Sequence, residues 1–83
     1  MNAINLGSET DTALILKIKR YLHDKNATLV KHDWALAGSQ AIETWLFCID
    51  DQEIKIEFET YEGIMAYGTP QTLKALLTYL AKG

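Results

Sequence analysis

One cysteine, Cys48, and one proline, Pro70, are all that this 83-residue chain holds of the residues that staple or break a backbone. With one thiol there is no intramolecular disulfide. One cysteine and two histidines do not make a structural zinc site. Five scattered glycines form no phosphate-cradling loop, and no P-loop lysine follows any of them. Positive charge is scarce as well. Eight Lys and Arg stand against eleven Asp and Glu, a net charge of −3, with no basic stripe of the kind that nucleic-acid binding needs. Nor does any apolar run approach the roughly 20 residues of a membrane span. The N-terminal stretch MNAINLGSETD has neither a basic n-region nor an apolar h-region, so it does not read as a secretory signal. The expectation is a cytoplasmic chain with no cofactor, no metal, no nucleic-acid partner and no membrane.

What is present is a globular composition, 48% apolar and 23% charged. The length suits a single domain over residues 1–83. A domain of this size buries only about 60–65% of its unfolded surface, so it depends on good packing or on a partner. Charge is unevenly spread. Residues 1–41 carry five basic and four acidic groups, whereas residues 42–83 carry three basic and seven acidic ones.

The hydrophobic periodicity predicts two helices and four strands. Ser8 and Asp11 in SETD have the form of a capping box. The stripe Leu14, Ile15, Ile18, Leu22 then predicts a helix to Asp24, with Leu16 exposed and Asn26 as a left-handed cap. TLVKHDWAL (28–36), AIETWLFCI (41–49), IKIEFETY (54–61) and IMAYG (64–68) read as strands joined by short turns. Thr69 caps a last helix with Pro70 in its first turn, and Leu73, Leu76, Leu77 and Leu80 form its apolar stripe. The order α-β-β-β-β-α predicts an α+β, two-layer sandwich. Its sheet is a four-stranded antiparallel meander with both helices packed on one face.

Register follows from the alternation. With Asp51–Gln52 as the tip of the central hairpin, Ile49 pairs with Ile54, Phe47 with Ile56 and Trp45 with Phe58. A loop at 37–40 sets Val30 opposite Phe47, His32 opposite Trp45 and Trp34 opposite Glu43. A Glu62–Gly63 turn sets Phe58 opposite Tyr67 and Thr60 opposite Met65. His32, Trp34, Glu43, Trp45 and Thr60 then share one end of the helix-covered face. Leu29, Ile42, Leu46, Cys48 and Ile64 fall on the outer face.

Two kinds of site emerge. Asp50, Asp51, Glu53, Glu57, Glu59 and Glu62 lie within thirteen residues, opposed only by Lys55. Next to apolar groups, such a face suits a basic protein partner. Ile42, Leu46, Lys55, Glu57, Glu59 and Tyr61 are its candidate contacts. The leading expectation is a small, acidic, non-enzymatic interaction module. It is homodimeric or bound to a basic protein, in the manner of an inhibitor or immunity partner of a basic toxin. The alternative is a small-ligand pocket or minor enzyme site at His32, Trp34, Glu43, Trp45 and Thr60, with His32 as base and Glu43 orienting it. Elsewhere the ordinary structural account suffices: Cys48 as a small hydrophobe, His23 at a helix C-terminus, and Thr69 as a plain cap.

Overall fold

The computed structural model describes residues 2–82. Its elements are β1 (Asn2–Gly7), α1 (Thr12–Asp24), β2 (Thr28–Ala37), β3 (Gln40–Ile49), β4 (Gln52–Glu59), β5 (Gly63–Gly68) and α2 (Pro70–Ala81). The class is α+β, as the periodicity predicts, but the sheet has five antiparallel strands in the order β1-β5-β4-β3-β2. The expected four-stranded meander is β2 to β5. The added strand, β1, packs Ile4 and Leu6 partly buried against the core and pairs with β5, Ile4 opposite Ala66. The link from β1 through α1 to β2 therefore carries the chain from one sheet edge to the other.

The helix ends agree with local chemistry. Asp11, not Ser8, is the N-cap of α1, and its carboxylate accepts from the Leu14 N–H at 3.0 Å. Ser8 instead shapes the preceding turn, its Oγ accepting from Thr10 N–H at 3.2 Å. Asn26 takes the left-handed conformation, φ 53°, just past the helix. Thr69 caps α2 by accepting from Thr72 N–H at 3.2 Å, with Pro70 in the first turn.

Three register differences each have a physical cause. The β3–β4 turn is Asp50–Asp51, both at positive φ (48° and 65°), the two-residue geometry that matches sheet twist. Ile49 therefore pairs with Gln52, Phe47 with Ile54 and Trp45 with Ile56. This is a shift of two, so the faces are kept. In the last hairpin the loop holds three residues, Thr60–Glu62, and Glu59 closes on Gly63. That odd shift sets Phe58 opposite Ile64 and exchanges the faces of β5. Ile64 is consequently buried in the core, not on the outer face, while Met65 and Tyr67 lie outside beside Glu57 and Lys55. Gly63 permits this turn. Its φ is 89°, and a Cβ there would meet the backbone carbonyl of Gly7 on β1. Finally, an irregularity between Leu29 and Lys31 makes Val30 a bulge. Leu29, not Val30, opposes Phe47, which moves Leu29 to the helix side.

The core is Ile18, Tyr21 and Leu22 of α1, Leu73 and Leu76 of α2, and Ile49, Ile54, Ile56, Ile64 and Ala66 of the sheet. Both helices thus lie on one face, over β1, β5 and β4. β3 is only half-buried along most of its length, and every residue of β2 is exposed. The β2–β3 hairpin extends beyond the helical layer as an uncovered wing.

Candidate functional site

Each side of the wing carries one of the two candidate sites. On the helix side, the two-residue connection Gly38–Ser39 holds β2 against β3 with His32 opposite Trp45 and Trp34 opposite Glu43. The side chains follow. His32 Nε2 and Glu43 Oε2 are 2.7 Å apart, and the ring nitrogen donates to the carboxylate. The His32 ring stacks on Trp45 at 3.6 Å between centroids, and Trp45 lies parallel to Phe47 at 6.3 Å. Four of the five predicted pocket residues, His32, Trp34, Glu43 and Trp45, are thus brought together. Thr60 lies apart. Its hydroxyl accepts from Ala41 N–H at 2.9 Å and donates to Ala41 C=O at 3.2 Å, which closes the lattice at the end of β4.

Between the wing and α1 lies an open cavity of about 410 Å³. Ile15, Ile18, Leu22, Trp45, Phe47 and Phe58 form its apolar wall, and Glu9, Lys19 and Glu43 stand at the rim. His32 and Trp34 lie beside this cavity but do not line it. Ile15, Ile18 and Lys19 of α1 do line it, and they fall outside the residues that sequence reasoning assigned to the pocket. Only the tertiary crossing of α1 brings them to the wing. Chemically, the His32–Glu43 pair is satisfied by its own hydrogen bond and ring stack. Cys48 lies on the opposite face, across from Thr28 and Glu53.

On the outer side, Ile42 is opposite Glu59, Leu46 opposite Lys55 and Thr44 opposite Glu57. Five of the six predicted partner contacts therefore form one patch. The sixth, Tyr61, is in the β4–β5 turn, 70% exposed, and shares a 2.8 Å hydrogen bond with the Ser39 hydroxyl in the β2–β3 turn. The acids do not act as one group. Asp50 and Asp51 are at one end of β4, and Glu57, Glu59 and Glu62 are at the other. Lys55 Nζ is 3.6 Å from Glu57 and 4.4 Å above the Tyr67 ring. Glu59 is buried, 9% exposed, with Oε2 lacking a partner. A hydrogen bond to the Glu62 carboxyl, then burial, then the charges of Glu62 and Glu57 push its pKa up to about 7. Burial, a hydrogen bond to Glu57 and the neighbouring acids push Tyr67 up to about 12.

The exposed apolar side chains mark a third surface. Leu29, Val30, Trp34 and Leu36 are 48%, 55%, 62% and 63% exposed, and all lie on β2. Sequence reasoning placed Trp34 in a pocket and did not single out Val30 or Leu36. The alternation gave them a helix-covered face, whereas every residue of β2 is exposed.

No protein-family model, curated protein or solved structure matches this chain. Among the described residues, no group of three or more His, Cys, Asp or Glu gathers as metal ligands. Among the described residues, no helix is long and apolar enough to cross a membrane.

Proposed function

We propose that the chain is a non-enzymatic protein-interaction module whose contact surface is the β2–β3 wing with the acidic outer face beside it. The observation that carries this reading is the row Leu29, Val30, Trp34 and Leu36, left in water on a strand that neither helix covers. A chain this short has little apolar surface to leave idle, and an exposed apolar strand next to charge is what a partner surface looks like. The net charge of −3 favours a basic partner or a self-contact that keeps the acids apart. An inhibitor-like or immunity-like role toward a basic protein is consistent with that charge and size.

The test is affinity capture from the source lysate with the unaltered chain and with the Trp34→Glu/Leu36→Glu variant. The variant should keep the fold, since both side chains are exposed, and should lose any partner, including a second copy. Identical captured sets would sink the reading.

A second reading rests on the cavity beside Trp45. Its apolar wall and charged rim suit a small amphipathic ligand. Such a ligand, titrated in, should shift tryptophan emission and raise the melting temperature. A metabolite and fatty-acid panel that moves neither would count against it.

A further inference from the structure

We infer that the partner on β2 is a second copy of this chain, joined edge to edge about a two-fold axis at Trp34 into one ten-stranded sheet. The inference rests on the wing as interaction surface and specifies its occupant.

β2 is the terminal strand of the sheet, ten residues long. The hairpin connection to β3 determines which of its backbone groups are free. Ala37 and Gln40 close a two-residue loop, and such a closing pair exchanges both hydrogen bonds. Alternation then directs Ala37, Ala35, Asp33 and Lys31 toward β3. Leu36, Trp34 and His32 point their N–H and C=O groups outward, along a free edge. Those three residues also carry their side chains on the helix side.

Antiparallel self-pairing that keeps both helical layers on one face admits few registers. An axis at Asp33 sets two carboxylates directly opposite each other, which is destabilising. An axis at His32 runs each strand across the other's bulge at Leu29–Lys31. An axis at Leu36 leaves only the residues next to the turn to pair. An axis at Trp34 pairs the whole bulge-free segment 31–37 with itself. Trp34 meets Trp34 of the partner subunit, His32 is opposite a leucine, and Asp33 and Lys31 are each opposite an alanine. The outward-facing backbone groups fall at the hydrogen-bonded pairs. No like charges face one another.

Charge favours the same contact. Lys31 and Asp33 form a 3.2 Å ion pair within the strand, and His32 is bonded to Glu43, so this edge is locally neutral. The acids of β4 and its turns lie two strands away, so two chains of net charge −3 meet without bringing those clusters together. The other edge, β1, is a poorer candidate. It has six residues, an irregularity between Asn5 and Gly7, and fewer exposed apolar groups. Natural edges are usually blunted. Beyond its bulge, Trp34–Ala37 carries no charge and no proline.

The experiment uses full-length chain. Sedimentation of the unaltered protein should give twice 9.4 kDa, and Trp34→Lys should raise the dimer dissociation constant at least tenfold. Register is read by crosslinking in a Cys48→Ser background. Asp33→Cys and Ala35→Cys chains, mixed and mildly oxidised, should form an interchain disulfide only in the mixture, because residue 33 faces residue 35 of the other copy. Crosslinking of Asp33→Cys alone overturns the register. A dimer without either crosslink places the contact elsewhere and overturns the inference. A monomer whose Trp34→Glu/Leu36→Glu variant still loses a captured protein overturns the dimer and leaves the interaction reading standing. A monomer with unchanged capture overturns both.

Discussion

Glu59 is a carboxyl held among carboxyls. Its hydrogen bond to Glu62 requires a shared proton, and burial deprives its other oxygen of water. The folded pKa of about 7 stands above the ordinary 4.5, so between those values the folded chain binds more protons than the unfolded one. Stability linked to this group is complete below about 4.5 and is lost as pH rises through about 7. The melting temperature should therefore fall from pH 5 toward pH 8. Glu59→Gln keeps the shape without the ionisation, so it should flatten that slope and gain stability at pH 8. Parallel melting curves for the two proteins would mean that Glu59 is ionised freely. The same burial bears on partner binding: of the predicted contacts, Lys55 and Glu57 are paired with each other, and Glu59 is buried with its pKa raised.

At the scale of elements, the hairpins determine which side chains meet. Asp50 and Asp51 both adopt left-handed backbone, which costs a non-glycine residue free energy even where Asp tolerates it. Asp51→Gly should stabilise the β3–β4 hairpin by about 0.5–1 kcal/mol, read as a higher urea midpoint with unchanged slope. A lower midpoint would show that the Asp51 side chain contributes more than its backbone costs. The β4–β5 loop shows how much one residue matters. Three residues in place of two put Ile64 and Ala66 beneath α2 and left Tyr67 outside beneath Lys55. Packing explains the choice: a small Ala66 admits α2 closely, and the tyrosine hydroxyl stays near polar partners.

Over the whole molecule, stability and interaction are segregated. The buried cluster joins α1 and α2 to β4 and β5, whereas β2 adds apolar surface without burying it. Leu76→Ala, at a fully buried position, should cost about 2–5 kcal/mol, a large share of what a small domain has. Leu36→Ala, at an exposed position, should cost under about 0.5 kcal/mol in the monomer. Chemical denaturation at low protein concentration separates the two. A large loss for Leu36→Ala under those conditions would mean that the wing is packed within the single chain.

Sequence alone determined what local spacing controls. The presence of both helices, the end of the first at Asp24, the Thr69 cap, the left-handed Asn26 and the alternation within β3 and β4 all depend on residues a few positions apart. The meeting of His32, Trp34, Glu43 and Trp45 was legible for the same reason, since one short hairpin brings them together. Tertiary structure alone decided the rest. β1 is a strand only because β5, some sixty residues later, offers it an edge, and NAINLG has no strong preference of its own. The face of β5 depended on a loop one residue longer than its Glu-Gly signal suggests. The exposure of Trp34 and Leu36 depended on where two helices of limited width come to rest over five strands. An alternating strand pattern records which side chains share a face, but it carries no record of whether anything lies over that face.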